Sequence, residues 1–271
     1  MKNNKLAVII SLLLPFVLSC TSPSQPTTNL RQDFHLPVIV QAPAADTIEY
    51  QKIDGINSSD FLFAGKSKFT DTLLLDKDGF LLGDTTSEKD MLWEQSRPKF
   101  RDSLTTDGFQ IFPDYNTSVH NKRDFYPNFF CYFPVYVVNE TSSTKVFFAK
   151  DSHVFGIQEA IDASNLSDEW RPIEARGFDF CGNGSFGVKV HPGEFIMFLV
   201  PKYQGEEKNA MRIRLQIGES LYISRSYEGT FDTSQFNIPN SPLFRHYTVD
   251  RKAISSYSGF YGAIPRGYDS E

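Results

Sequence analysis

Residues 211–217 place the strongest constraint on the fold of this chain. They read Met-Arg-Ile-Arg-Leu-Gln-Ile, so apolar and polar side chains alternate without exception. Successive side chains of a β-strand point to opposite faces of a sheet, and this alternation predicts a strand with one buried face. Residues 195–200 are instead apolar throughout and are bounded by Pro192-Gly193 and Pro201. That pattern predicts a strand covered on both faces.

Other short segments show a similar β pattern, at residues 132–139, 145–149, 154–158, 185–190 and 221–227. About seven short strands separated by turn residues predict an antiparallel, immunoglobulin-like β-sandwich over residues 126–240. The content of 25 Phe and 12 Tyr agrees with this, because these residues favour pleated, half-buried surfaces. The fold class is therefore expected to be mainly β.

Shorter extensions are predicted on both sides of the sandwich, at residues 46–125 and 241–271. In the first, Thr72–Leu75 and residues 80–82 flank Asp-Lys-Asp-Gly, which predicts a hairpin in which the glycine adopts a positive φ. Residues 87–90, Ser-Glu-Lys-Asp, are typical of a helix start, and Pro98 would end that helix. We therefore expect a hairpin and one short helix in the N-terminal extension.

The N-terminus has the composition of an export signal. Lys2 and Lys5 precede an apolar run of thirteen residues, 6–18, and the sequence then reads Val-Leu-Ser-Cys at 17–20. A membrane-spanning helix needs roughly 20 apolar residues, so the run is too short for a stable span. The end of the run resembles the lipobox of bacterial lipoproteins, which implies that residues 1–19 are cleaved and that Cys20 carries lipid.

Residues 20–45 are rich in Pro, Thr, Ser and Gln at first, a composition typical of a solvated tether between the lipid and the domain. The first acidic residue of this segment is Asp33, and Thr21 follows Cys20. The segment thus lacks both the acidic cluster that marks surface export in Bacteroidota-type lipoproteins and the Asp that retains enteric lipoproteins at the inner membrane. We expect a lipid-anchored protein on the periplasmic face of an outer membrane.

The charge balance bears on the partners of the protein. Removal of residues 1–19 takes away two lysines and no acids, which leaves 25 basic and 33 acidic residues and a net charge of −8. Phosphate backbones attract basic surfaces, so nucleic acid is not an expected partner. The membrane, through the lipid on Cys20, and a protein or glycan of the cell envelope are the expected ones.

Three runs in the sandwich region carry a further resemblance: residues 135–139 (Val-Tyr-Val-Val-Asn), 191–195 (His-Pro-Gly-Glu-Phe) and 211–214. They resemble β-sandwich modules in which a Pro-Gly-Glu turn precedes a central strand. Together with residues 170–174 (Trp-Arg-Pro-Ile-Glu) and 178–183 (Phe-Asp-Phe-Cys-Gly-Asn), they resemble uncharacterised Bacteroidota lipoproteins. This resemblance implies an architecture and no activity.

The sequence around the candidate cofactor and metal motifs does not support either kind of site. Residues 182–187 fit G-x-G-x-x-G, but an alternating strand follows instead of the helix that a pyrophosphate would need. Metal-clip spacings such as H-x-H are absent among the five histidines, His35, His120, His153, His191 and His246. We therefore expect neither a cofactor nor a metal site.

Two cysteines remain after Cys20, namely Cys131 and Cys181. In an oxidising compartment they could form one disulfide, which would stabilise the fold by about 4 kcal/mol in the chain-entropy model. Alternatively, both are free cysteines that behave as small hydrophobes. The sequence leaves both possibilities open.

The failure of every catalytic motif favours a non-enzymatic binding or structural component of the envelope. Because Trp and Arg are preferred interface residues, the segment with Trp170, Arg171 and Glu174 and the turn with Asn183 are the predicted interaction surface. The alternative is a hydrolase or carbohydrate-active lipoprotein that uses acidic residues near Trp170, with Glu159 and Glu174 as acid and base.

Overall fold

The computed structural model describes residues 33–42, 48–51, 55–59, 61–93, 105–122, 128–164, 169–176, 184–238 and 257–267. Within these ranges the chain is mainly β, as predicted. The strands are β1 (Val38–Gln41), β2 (Ile48–Glu49), β3 (Asn57–Ser59), β4 (Phe61–Lys68), β5 (Thr72–Leu75), β6 (Met91–Trp93), β7 (Gln110–Pro113), β8 (Val119–Lys122), β9 (Phe129–Asn139), β10 (Lys145–Lys150), β11 (His153–Val154), β12 (Gly156–Asp162), β13 (Glu169–Pro172), β14 (Glu174–Arg176), β15 (Ser185–Val190), β16 (Glu194–Pro201), β17 (Glu207–Ile217), β18 (Ser220–Ile223) and β19 (Tyr227–Phe231). A 3-10 helix follows at Thr233–Phe236 and a one-turn helix, α1, at Tyr257–Phe260.

A ten-stranded sheet forms the centre of the fold. Its order is β2-β9-β16-β4-β11-β10-β15-β6, and β7 and β8 also pair with β9. Strand β16 lies between β9 and β4, antiparallel to both, and all eight of its residues are buried. This confirms the prediction that residues 195–200 are covered on both faces.

A second sheet packs on one face of the central sheet and completes a β-sandwich. Its order is β13-β12-β17-β18, with β19 also paired to β17. The alternating residues of β17 behave as predicted, because Met211, Ile213, Leu215 and Ile217 are fully buried while Arg212 is only partly so. The core between the two sheets also includes Phe61, Phe133, Val135, Val137, Ile196, Phe198 and Val200.

A third layer covers the other face of the central sheet. It consists of β1 and β5, which pair in parallel with Val38 opposite Thr72 and Val40 opposite Leu74. Leu73 and Leu75 of β5 face inward and pack with Tyr136 and Phe195 of the central sheet in a second core. The sequence did not predict this layer, because parallel pairing joins segments that are far apart in the chain.

The region expected to be an N-terminal extension contributes directly to the sandwich. Strands β4 and β7 are integral to the central sheet, and the described chain after residue 32 belongs to one compact unit. The boundary expected at residue 126 is therefore not a boundary between sheets. A division by sequence pattern failed here because β4 is paired by a strand more than 120 residues later.

Two local predictions in this region had different outcomes. The hairpin is present: Leu82 donates from its backbone to Leu74, and Gly79 in the turn has φ 85°. The helix predicted from Ser87 is wrong, because the residues after a short turn form strand β6. Pairing of β6 with β15 at the edge of the central sheet overrides the local helix signals.

One buried charged cluster joins strands of the central sheet. Lys66 of β4 is only 1% exposed, and its Nζ lies 2.9 Å from Asp90 Oδ2 and 3.1 Å from Glu194 Oε2. The Nζ also donates to the backbone oxygen of Lys189 at 3.2 Å. His191 Nε2 lies 3.1 Å from Asp90 Oδ1. The lysine is thus compensated by two carboxylates, as buried charge requires.

Candidate functional site

A cleft of about 200 Å³ lies between β7 of the central sheet and β18 of the second sheet. Its lining residues are Phe109, Gln110, Ile111, Phe112, Tyr222, Ile223 and Arg225. Both strands lie at edges of their sheets among the described residues, since β7 pairs with β9 and β18 pairs with β17. We call this site the edge cleft.

Strand β7 supplies one wall of the edge cleft and an open ladder edge. The backbone N–H of Asp114 donates to Pro134 O at 3.0 Å, and hydrogen-bonded pairs alternate along an antiparallel ladder. Phe112 therefore bonds toward β9, whereas the N–H and C=O of Ile111 point away from it. Pro113 has no N–H, so β7 can extend its ladder only from the Ile111 side.

Strand β18 supplies the opposite wall. Ser224 N–H donates to Ile213 O at 2.9 Å, and the Ser224 hydroxyl accepts from Ile213 N–H at 2.8 Å. By the same alternation, the backbone groups of Leu221 and Ile223 point away from β17. The Tyr222 hydroxyl donates to the backbone oxygen of Thr106, which restrains the aromatic ring that lines the cleft.

Arg225 supplies positive charge at the mouth of the edge cleft. It is exposed, and its guanidinium carbon lies 5.6 Å from the centre of the Phe112 ring. A carboxylate also lies near the cleft, because Gln110 Nε2 donates to Glu140 Oε2. An arginine stacked on an aromatic ring still presents a planar fork of donors to a carboxylate ligand.

The chemistry of this cleft suits an extended peptide. Outward-facing backbone groups on both walls can pair with a peptide main chain, and the aromatic walls can accept alternate side chains. A free guanidinium can bind a carboxylate through charge-assisted hydrogen bonds. Nothing in the described cleft resembles a nucleophile with an adjacent base.

The interaction surface predicted from the sequence lies elsewhere and is largely buried. Arg171 is 3% exposed and Glu174 is fully buried, while Trp170 is half-buried with Arg212 stacked 4.3 Å above its ring. Asn183 lies outside the described residues. Arg171 and Glu174 therefore do not form an exposed contact surface. The prediction failed because the sequence does not show which charged residues find hydrogen-bond partners inside the folded protein.

Glu174 is held by hydrogen bonds inside the sandwich. Its carboxylate accepts from Gln158 N–H and from Gln158 Nε2, both at 2.7 Å, and from the Tyr203 hydroxyl. Tyr227 donates to Gln158 Oε1 at 2.9 Å, and burial followed by the nearby Glu174 charge raises the pKa of Tyr227 well above its usual value. These bonds make the carboxylate part of the core.

The acid and base pair considered for a hydrolase is incompatible with this geometry. Gln158 and Glu159 are consecutive residues of β12, so their side chains point to opposite faces of the sheet. Gln158 contacts Glu174 on one face, whereas Glu159 binds Arg212 Nε at 2.6 Å and Arg214 Nη2 at 3.0 Å on the other. Two carboxylates on opposite faces of one sheet cannot flank the same bond.

Cys131 is a free, buried thiol among the described residues. Burial raises the pKa of Cys131 above its usual value, despite opposing interactions with Ser118, Lys202 and Tyr50. Its expected partner, Cys181, lies outside the described residues. The disulfide therefore stays a prediction, and the burial of Cys131 agrees with the alternative in which it packs as a small hydrophobe.

In the part of the chain that the structure describes, neither a metal centre nor a membrane-spanning helix is present. No group of three or more His, Cys, Asp or Glu side chains there could hold a metal ion. No helix in that part is long and apolar enough to cross a membrane. The signal residues 1–19, Cys20 and most of the tether at 20–45 lie outside the described residues.

The edge cleft was not predicted from the sequence. One signal was available: residues 109–113, Phe-Gln-Ile-Phe-Pro, combine a β pattern with a proline, and proline within a sheet is confined to edges. The approach of β18 and Arg225 to this edge depends on tertiary packing.

Comparisons of the chain with models of known protein families, with curated proteins and with solved structures give no match.

Proposed function

We propose that this protein is a lipid-anchored, non-enzymatic binding component of the bacterial cell envelope that holds an extended segment of a partner protein in the edge cleft. The observation that supports this proposal is that two edge strands line the same cleft, β7 at Ile111 and β18 at Ile223, beside the exposed Arg225. Open edges are normally protected because they pair with other chains. Here the cleft limits which chain can reach them.

The size of the edge cleft favours a peptide over a free metabolite. Pockets for small molecules usually measure about 300–1,000 Å³ and enclose most of the ligand. A volume of about 200 Å³ accommodates one or two side chains of a longer ligand. A peptide with alternating apolar residues and an Asp or Glu near Arg225 satisfies both the backbone edges and the charge.

The anchor part of the proposal rests on the sequence of residues 1–20. Two lysines, a thirteen-residue apolar run and a cysteine directly after a small residue support cleavage before Cys20 and lipid attachment to it. A protein with two or three acyl chains remains stably bound to a membrane. We assign it to the outer membrane, facing the periplasm.

Peptide binding can be tested with matched variants of the full-length protein in detergent. Peptides selected from a displayed random library should alternate apolar residues and carry an acidic residue. Ile223→Pro removes an outward N–H without removing a bond to β17, whereas Ile223→Thr keeps that N–H. The loss of one hydrogen bond worth about 1 kcal/mol should weaken binding about fivefold in the proline variant alone.

Arg225→Ala tests the charge. It should weaken binding of the selected acidic peptides and have little effect on the same peptides with the acid replaced by its amide. If both position-223 variants and Arg225→Ala bind as tightly as the parent chain, the edge cleft is not the binding site.

The anchor is tested by Cys20→Ser. The parent protein should partition into detergent, and its N-terminal peptide should begin at Cys20 with the added mass of acyl chains. The variant should carry no acyl mass and should keep residues 1–19, because the acyl-accepting thiol is gone and cleavage by the lipoprotein pathway depends on lipidation. Recovery of the parent chain as a soluble protein with an unmodified cysteine would contradict the lipoprotein proposal.

A further inference from the structure

The outer face of the β1 and β5 layer is an exposed apolar surface, which we call the outer patch. It consists of Leu36, Val38, Val40, Leu74, Phe80 and Leu82, each 40–66% exposed. Pairing brings these residues together: Val40 lies opposite Leu74, and Leu82 donates from its backbone to Leu74. Thr72, opposite Val38, completes the face without adding a charge.

The composition of this layer is unusual for a sheet with one side in water. A half-exposed sheet normally alternates apolar and polar residues, whereas strands covered on both faces are apolar throughout. Strand β5 reads Thr-Leu-Leu-Leu, and only Leu73 and Leu75 face the second core. The layer thus has the composition of a sheet with two covered faces. The second core covers the inner face, and the outer patch is the face that a partner would cover.

The position of the outer patch in the chain indicates what covers it. Leu36 is sixteen residues after Cys20, so the intervening chain reaches at most about 55 Å in any conformation. Among the described residues, β1 is the strand nearest in sequence to the proposed anchor, and it carries part of the patch. Because the anchor keeps the patch near the bilayer, docking is intramolecular and needs only a weak intrinsic affinity.

We infer that the outer patch docks on the lipid bilayer that holds the anchor, so that the β1 and β5 layer forms the membrane-facing side of the domain. This inference rests on the lipid anchor of the proposed function. The apolar side chains enter the region between headgroups and acyl chains, as the apolar faces of interfacial segments do. Burial of this surface also removes its exposure to other proteins.

The test uses the full-length lipidated protein in vesicles of phosphatidylethanolamine with a minor fraction of phosphatidylglycerol. Val40→Trp adds a fluorophore to the outer patch, and Leu221→Trp adds one to the exposed side of β18 as a matched control. Lipids brominated in their acyl chains quench only tryptophans that enter the bilayer. The added fluorescence of Val40→Trp should be lost in brominated vesicles, and that of Leu221→Trp should remain.

A second pair of measurements separates the possible failures. Val38→Trp repeats the test if Val40→Trp does not give the circular dichroism spectrum of the parent chain. The changes Val38→Ser and Leu74→Ser are also combined with Val40→Trp in one protein. This protein should stay in the vesicle fraction, but the brominated lipids should no longer quench its tryptophan at residue 40.

The outcomes that overturn the inference are distinct from those that overturn the anchor. Protein that floats with vesicles but shows no quenching at residue 40 or 38 refutes the docking and leaves the anchor intact. Patch-dependent dimers in analytical ultracentrifugation would show that a second copy covers the patch instead. Absence of acyl mass on Cys20 would refute the proposed function itself.

Discussion

Replacement of Lys66 tests the energetics of the buried charged cluster. Lys66→Met keeps a similar side-chain length but removes the only cation that the two carboxylates of Asp90 and Glu194 share within the described cluster. Side chains of these acids are 13% and 7% exposed, so water can compensate only a part of the loss. The variant should therefore be strongly destabilised.

The size of the destabilisation depends on the hydrogen bonds that Asp90 and Glu194 keep in the variant. Removal of one partner from a buried ion pair costs about 3–5 kcal/mol. Asp90 keeps hydrogen bonds from Ser87 and His191, and Glu194 keeps one from the His191 backbone, so we expect the lower value, about 3 kcal/mol. For a chain of this size, that corresponds to a decrease in Tm of roughly 6–12 °C.

The effect should also depend on pH. Burial alone would raise the pKa of Asp90, but hydrogen bonds from Lys66, Ser87 and His191 outweigh it and hold that pKa well below its usual value. A depressed carboxyl pKa stabilises the fold above the unfolded pKa of about 3.9, and this contribution is lost as the pH falls toward the folded value. The difference between parent and variant should therefore be largest near neutral pH and should shrink below about pH 4.

Urea unfolding of the parent, Lys66→Met and Lys77→Met at neutral and acidic pH measures these differences. Lys77 is the control, because its side chain is 74% exposed and lies 3.8 Å from Asp78, and such surface pairs contribute less than about 1 kcal/mol. A loss below about 1 kcal/mol in Lys66→Met at neutral pH, or a loss that stays constant in acid, would refute the reasoning.

Three further predictions concern other parts of the fold. Gly156→Ala should destabilise the sandwich by about 1–3 kcal/mol in urea unfolding, because its Cβ would lie 2.4 Å from a methyl of Leu215. The hydrogen bonds from Arg266 lower the pKa of Asp162 to about 2. Arg266→Met should therefore lower the free energy of unfolding at neutral pH and much less near pH 2. Equal losses at the two pH values would contradict this prediction. Cys131 should react with a thiol reagent only after unfolding and without prior reduction; a requirement for reductant would show a disulfide.

The sequence predicted the elements in which a local pattern and tertiary packing agree. The alternation at residues 211–217 depends on one buried face, and the apolar run at 195–200 on two, so the pattern reports burial directly. The hairpin at residues 72–82 was predicted because its glycine turn is a local feature. Each of these features is encoded within a few neighbouring residues.

Other features could not be predicted because they depend on distant partners. Residues 91–93 follow a helix-like start but form a strand that pairs with β15. Glu174 is a charged residue, yet it is buried and accepts hydrogen bonds from Gln158 and Tyr203. The edge cleft requires β7 and β18, which are more than 100 residues apart. No local pattern specifies such a juxtaposition.

The pairing of β16 between β4 and β9 has a consequence for biosynthesis. Lys68 of β4 pairs with Glu194, which is synthesised 126 residues later. At about 5–20 residues per second, β4 remains without this partner for roughly 6–25 s, and β9 is completed in the meantime. The last central strand must then enter between two strands that already exist. Until β16 is available, β4 and β9 each leave unpaired the strand edge that β16 later covers, and such an edge can pair with another chain.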